Sequence, residues 1–254
     1  MKIKNNNEIE ELLNINNSPF QKFYEASKNV RFRKDLKKPP ETWKKVYFKS
    51  YFRFEQIKLP KIELPKVALS KALLKRESIR EFTKEKVDLK RISSLLYHSA
   101  GIKNLDENLY PLRFYPSGGG RYPLEIYLLS FNTELPNGIY HYYPRTHSLE
   151  HIYAYKTINF RKYFDQEWVK GSAFIIIVTG VFARTTVKYG ERGYRHVFID
   201  TGHLGQNFYL NSIPLNLGCC EVAGFKEDTL NKLLDVDGTE ETVISTFSFG
   251  NPLK

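Results

Sequence analysis

Two short stretches of this 254-residue chain invite an anion-binding reading. Arg76, Ser78 and Arg80 put two guanidinium forks and a hydroxyl within five residues, the donors a phosphate takes from protein. A charged helix start with Ser78 as its cap would carry the same letters. Gly118-Gly119-Gly120 invites a phosphate-loop reading. Such a loop follows a strand and opens a helix, whereas this run precedes the apolar stretch Leu124–Phe131 and fits neither the Walker pattern nor the dinucleotide fingerprint. No Gly-x-Ser-x-Gly elbow is present to anchor a hydrolase triad. Cys219 and Cys220 are adjacent, so they rarely bridge and leave no spaced pair for zinc. His196 and His203 lie about 10 Å apart along a helix, too far to chelate one ion. His147 and His151 fall on an expected hairpin and diverge. No metal site is expected.

The elements that must position these groups can be read from apolar spacing and punctuation. Pro19 to Lys28 reads as a short helix, followed by Pro39-Pro40 and an extended aromatic stretch through Trp43, Tyr47, Tyr51 and Phe54. Pro60 and Pro65 mark the entry to the main domain. Ser70 is expected to cap a short helix through Leu73 and Leu74. Asp88 caps one carrying Leu89, Ile92, Leu95, Leu96 and Ser99, stopped by Gly101. Leu124–Phe131 is a strand. Ile139–Tyr143 and Leu149–Tyr155 flank Pro144-Arg145-Thr146-His147 as a hairpin. Phe174–Val178 is a buried strand, and Tyr194–Leu215 a long helix with Val197, Thr201, Leu204 and Phe208 on one face. Asp228 is expected to cap a helix bearing Leu230, Leu233 and Leu234. Val243–Phe249 closes the chain as a strand. The elements alternate without the regular rhythm of a doubly wound fold, so the fold class is α+β.

Composition sets the outer limits. At 41% hydrophobic and 26% charged residues, the chain is neither disordered nor fibrous. Its 17 Tyr and 18 Phe can fill a core and also wall a flat ligand. The net charge of +11 is uneven: residues 1–66 hold 16 Lys and Arg against 8 Asp and Glu. No zinc finger, RNA-recognition signature or recognition helix directs that charge to nucleic acid. No apolar run is long enough to span a membrane, and Met1–Glu11 lacks the apolar segment of a secretory signal. With its two adjacent cysteines, the chain reads as reduced and cytoplasmic.

Three segments, in order, carry a family resemblance. They are Lys75-Arg76-Glu77-Ser78-Ile79-Arg80-Glu81-Phe82; Arg113-Phe114-Tyr115-Pro116-Ser117-Gly118-Gly119-Gly120-Arg121-Tyr122-Pro123-Leu124-Glu125; and Lys188-Tyr189-Gly190-Glu191-Arg192-Gly193-Tyr194-Arg195, followed by Asp200-Thr201-Gly202-His203, Gln206-Asn207 and Ala223-Gly224-Phe225. This set resembles the nitroreductase-like flavoproteins, and within them the SagB-type thiazoline/oxazoline dehydrogenases. The resemblance covers residues 67–254. Residues 1–66 then form a basic N-terminal extension, where Phe23–Lys28 and the Pro39-to-Pro65 stretch carry a fainter likeness.

The resemblance implies a mixed sheet flanked by helices, and a homodimer holding FMN at its interface. Arg76, Ser78 and Arg80 would meet the phosphate, the ribityl chain or the ring edge. Pro116, Ser117, Gly118 and Gly119 would lie against the flavin ring of the partner, glycine letting backbone approach a flat ring and proline presenting a rigid apolar face. Ala223 and Gly224 would aim backbone N–H groups at the reduced, anionic ring. Arg195 would serve the cofactor or the substrate. Lys188 and Tyr189 would be catalytic, because converting an azoline to an azole removes a proton as well as a hydride. Lysine can take the proton where burial or positive neighbours lower its pKa, and Arg184, Arg192 and Arg195 are near in sequence. Tyr189 would hydrogen-bond the ring heteroatom or relay the proton.

The implied activity is FMN-dependent azoline dehydrogenation in a modified peptide, with dioxygen reoxidising the flavin and a cyclodehydratase complex as a further partner. The basic arm is then a candidate to hold an acidic leader peptide or that partner. Some positions depart from the pattern. Glu77 stands where relatives often carry a base. Gly120-Arg121 replaces a small-then-apolar pair. Asn251-Pro252 follows Gly250 in place of a basic residue, with Lys254 the nearest charge. Two alternatives follow from these departures and from the fold: an NAD(P)H-driven flavin reductase, and a non-catalytic scaffold subunit.

Overall fold

The computed structural model describes residues 18–28, 40–103 and 111–253; Met1–Glu11, Pro39 and Lys254 lie outside them. In chain order the elements are α1 (Pro19–Ala26), β1 (Glu55–Lys58), α2 (Leu69–Lys75), α3 (Leu89–Ala100), β2 (Leu124–Ser130), β3 (Gly138–Tyr143), β4 (Ser148–Ala154), β5 (Phe174–Val181), α4 (Ala183–Tyr189), α5 (Glu191–Ser212), β6 (Gly218–Val222), α6 (Glu227–Leu234) and β7 (Glu241–Gly250). The strands form one seven-stranded sheet in the order β1-β4-β3-β2-β5-β7-β6. The mixed sheet expected from the resemblance is antiparallel in all six of its ladders. The parallel component among the described residues is one isolated bridge, Val87 to Thr133.

Period-two alternation divides the central strands between two cores. Ile126, Leu128, Ile176, Val178, Phe247 and Phe249 pack with α3 and α5 on one face. Leu129, Ile175, Ile177 and Val243 pack with Leu230 and Leu234 of α6 on the other. Both faces are covered, so every residue of β2 is buried. The helix α5 seats Val197, Thr201, Leu204 and Phe208 on the sheet, the face its 3.6-residue spacing marks out.

Two caps differ from expectation. The helix α2 starts two residues earlier, with Ala68 as its N-cap and Ser70 inside the first turn. Lys226 occupies the N-cap of α6, and Asp228 instead lies in the first turn, where a carboxylate suits the helix dipole. Asp88 does cap α3, its carboxylate accepting the Arg91 N–H at 2.8 Å.

From Pro40 onward the N-terminal segment is knitted into the domain. β1 pairs with β4 at the sheet edge, and Leu59 is buried in the core. Lys49 pairs with Glu241 of β7 at 2.8 Å. Arg121 donates to the Trp43 carbonyl at 3.1 Å. Among the described residues no helix is long and apolar enough to cross a membrane, and no group of three or more His, Cys, Asp or Glu could hold a metal ion.

Candidate active site

The pair Lys188-Tyr189 ends α4, and Gly190 turns the chain directly into α5. Gly190 makes that turn at φ +54°, a region that residues with a Cβ avoid. The corner aims Tyr189 at the glycine loop. Its hydroxyl occupies the space beside Gly119 so closely that a Cβ there would lie 2.1 Å from the oxygen, and Gly119 itself has φ +65°. The Tyr189 ring meets His196 edge-on at 5.0 Å. The Lys188 ammonium lies 5.5 Å from the Trp43 ring centroid and 5.1 Å from that of Tyr189. Trp43, Gly119, Lys188 and Tyr189 thus form one cluster, with Trp43 brought in by the N-terminal segment.

The arginines near Lys188 in sequence have partners of their own. Arg184 is buried and paired with Glu125 at 2.5 Å. Arg192 and Arg195 donate to the carbonyls of Lys28 and Tyr24 and so dock the end of α1. Arg195 also lies over the Tyr24 ring at 4.6 Å. Lys45 is a cation near Lys188 in space. Burial pushes the Lys45 ammonium pKa down, and the charges of Arg121 and Lys188 push it the same way.

The glycine loop is held on α5. Gly118 N–H donates to the Asp200 carboxylate at 3.3 Å, and the Ser117 hydroxyl accepts the Tyr122 N–H at 2.9 Å. The Pro116 carbonyl faces His203 Nδ1 at 3.3 Å. The second carboxylate oxygen of Asp200 is buried without a partner. Burial drives this carboxyl up to about 6, against the hydrogen bonds from Ser117 and Gly118 and the charge of His203.

The stability consequence has a definite sign. An acid whose folded pKa is raised keeps a proton that the unfolded chain has released, so stability falls as pH climbs from about 4 to about 6 and is flat above. Wild-type protein is expected to lose about 2–3 kcal/mol over that window from this group. Asp200→Asn lacks this part of the slope. Urea unfolding at pH 4.5 and 7.5 measures both proteins; equal slopes would contradict the assignment.

Arg76, Ser78 and Arg80 lie elsewhere. Arg76 and Arg80 are exposed and Ser78 half-buried. The Ser78 and Tyr209 hydroxyls are 3.3 Å apart, Arg76 sits over the Tyr209 ring at 5.6 Å, and Arg80 over Trp168 at 5.9 Å. Neither arginine has a carboxylate partner among the described residues. Ala223 and Gly224 follow β6. Ala223 is exposed; Gln166, in the amide orientation that satisfies both partners, bonds the Gly224 C=O at 2.9 Å and N–H at 3.3 Å.

One chain does not bring the two groups together. Gly118 packs on His196, and Ser78 on Tyr209, thirteen residues further along α5. That interval is about 20 Å along the axis and about 140° around it.

Sequence reasoning missed the buried frame beneath the cluster. His141 bridges Glu125 at 2.9 Å and Glu150 at 2.7 Å. Glu150 also accepts from the Ser50 hydroxyl at 2.8 Å and the Tyr51 N–H at 2.9 Å. Arg184 donates to the Tyr122 carbonyl at 3.2 Å, and Arg121 to the Arg184 carbonyl. Burial pushes the Glu125 carboxyl up, but Arg184 and His141 outweigh it and hold the pKa near 2. Burial likewise pushes the His141 imidazole down, and the two carboxylates reverse that and raise it. The available signal was a charge inside each of three apolar strands.

Residues 73–251 match the model of the nitroreductase family. The chain belongs to that family. Its members are typically FMN-binding enzymes. MJ1384 of Methanocaldococcus jannaschii, whose name puts it among the nitroreductases, is 31% identical over 165 residues, covering 64% of this chain and 81% of MJ1384. The microcin B17-processing protein McbC of Escherichia coli is 29% identical over 162 residues, covering 61% of this chain and 58% of McbC. The fold is similar to a chain of the E. coli microcin synthetase McbBCD complex, solved with truncated pro-MccB17 bound: TM-score 0.60 and 24% identity over 100% of this chain and 84% of that one. The α+β nitroreductase-like fold is therefore established, with distant homology to a peptide-processing member.

Proposed function

We propose that this chain is an FMN-dependent dehydrogenase that converts azolines to azoles in a modified peptide, working as a homodimer. The observation that carries the reading is the Lys188–Tyr189 corner, where an ammonium and a phenol share one cluster with the glycine loop. The McbC likeness supports a peptide substrate.

The residues present fit FMN. Two exposed arginines without carboxylate partners among the described residues stand beside the Ser78 and Tyr209 hydroxyls, the donor chemistry of a phosphate site. Pro116 and Gly119 are exposed and offer a flat, Cβ-poor surface to a ring. In this reading Arg76, Ser78, Arg80, Ala223 and Gly224 of one protomer, with Pro116–Gly119 of its partner, hold the flavin. The separation of the two groups along α5 supports a site shared between protomers. The exposed Tyr194, Phe198 and Ile199 on α5 offer an apolar face for that contact. Arg195 is assigned to docking α1.

Bound FMN would supply the hydride acceptor. Lys188 Nζ takes the proton from the neighbouring ring carbon. The Tyr189 hydroxyl hydrogen-bonds the ring heteroatom and fixes the ring against the glycine loop. Trp43 and Tyr189 give the lysine aromatic walls that limit water around the reacting C–H.

The first test is an absorption spectrum. Protein mixed with FMN and desalted is expected to keep the flavin bands; a colourless eluate would remove the oxidoreductase reading for this chain and favour the scaffold. A second reading, a nicotinamide-driven reductase, is favoured by the MJ1384 match. Rapid bleaching of bound FMN by NADH or NADPH would select it.

A further inference from the structure

Between residues 44–49 and α4 lies a cavity of about 480 Å³, within the size range of small-ligand sites. Its walls are apolar: Val46 and Phe48 on the N-terminal side, Ala183 and Val187 on the side of α4. Lys188 and Tyr189 do not line it, but Arg121 at its wall donates to the carbonyl of Trp43, whose ring lies 5.5 Å from the Lys188 ammonium, so the cavity adjoins the proposed reacting cluster.

The charges lining this cavity do not cancel. Its one acid among the described residues, Glu241, is already satisfied by Lys49 at 2.8 Å, Tyr127 at 3.0 Å and Thr179 at 2.7 Å. Arg184, also at the wall, is paired with Glu125. Arg121 is only 2% exposed, yet its guanidinium meets the backbone carbonyls of Arg184 and Trp43 and no carboxylate among the described residues. A buried cation held by carbonyls alone keeps an uncompensated charge, which a low-dielectric wall makes strongly felt. Lys44 adds a second, exposed cation at the rim. Apolar walls beneath excess positive charge fit a carboxylate on a short apolar stem.

We propose that this cavity is a subsite for a carboxylate of the peptide substrate, located near the ring that is oxidised. The assignment rests on the peptide-substrate reading given above. The carboxylate belongs either to an Asp or Glu side chain or to the peptide C-terminus; the chemistry of recognition is the same.

Calorimetric titration of the FMN-loaded protein with thiazole-containing tetrapeptides tests this. The four probes carry Glu or Gln beside the ring, each with a free or amidated C-terminus. Loss of the recognised carboxylate is expected to weaken binding about tenfold. A drop on Glu→Gln assigns the side chain, and a drop on amidation assigns the C-terminus. Val46→Trp fills the cavity from the N-terminal side, and Lys44→Glu reverses the charge at the rim; both should erase the preference while circular dichroism stays unchanged. No preference among the four peptides overturns the subsite, as does a preference that both variants retain. Wild-type protein that oxidises azolines without any preference sinks the subsite alone. A preference without azoline oxidation keeps the subsite and removes the reaction.

Discussion

Replacing Lys188 by Ala lowers the rate of azoline oxidation by about 10³-fold and leaves FMN retention unchanged. A positioned general base typically contributes 10²–10⁴-fold, and solvent can replace it only poorly. The side chain ends in an aromatic niche between Trp43 and Tyr189 and contributes nothing to the sheet or to either core, so the loss belongs to the reaction and not to the fold. Added methylamine should recover part of the rate, since a small amine can enter the truncated site. Single-turnover measurements with an azoline peptide give the number. A variant within threefold of wild type would remove Lys188 from the reaction.

Arg184→Met is expected to cost about 3–5 kcal/mol of stability, because it strands a buried carboxylate. Glu125 is 1% exposed and relies on Arg184 and His141 to stay ionised. The same substitution frees the Tyr122 carbonyl and unsettles the glycine loop above it. The depressed Glu125 pKa also sets a pH signature. Its contribution is complete above the unfolded value near 4.5 and vanishes as pH falls through about 2. Wild type therefore loses stability across that acid window, and Arg184→Met loses much less. Urea unfolding at neutral and acid pH reads both effects. The double variant Glu125→Leu, Arg184→Met should cost clearly less than the two single changes together, as expected when both charges leave the interior. Strict additivity would mean the pair is not coupled.

Local pattern was legible wherever one face is apolar. α3, α5, β2, the β3–β4 hairpin and β7 follow spacing and punctuation closely, because burial of a single face or of both fixes the period. Helix starts were less legible: Ser70 and Asp228 are good caps by type, but chain direction at Ala68 and Lys226 decides where the first turn begins. The glycine loop and the Lys188–Tyr189 pair were recognisable as motifs, and the structure adds that Gly119 and Tyr189 touch. What no local window could give is pairing across the sheet. Glu125, His141 and Glu150 sit on three strands, and only the register brings them into one network. The same holds for Trp43 and Lys45, which lie more than 140 residues before Lys188 and reach it through the packing of the N-terminal segment.

The most direct test of the central claim is anaerobic mixing of FMN-loaded protein with a thiazoline-containing peptide. Bleaching of the flavin bands, matched mole for mole by loss of two hydrogens from the peptide in mass spectra, is the predicted result. Flavin that stays oxidised with this peptide, yet bleaches at once with NADH or NADPH, would contradict the account and make the chain a reductase.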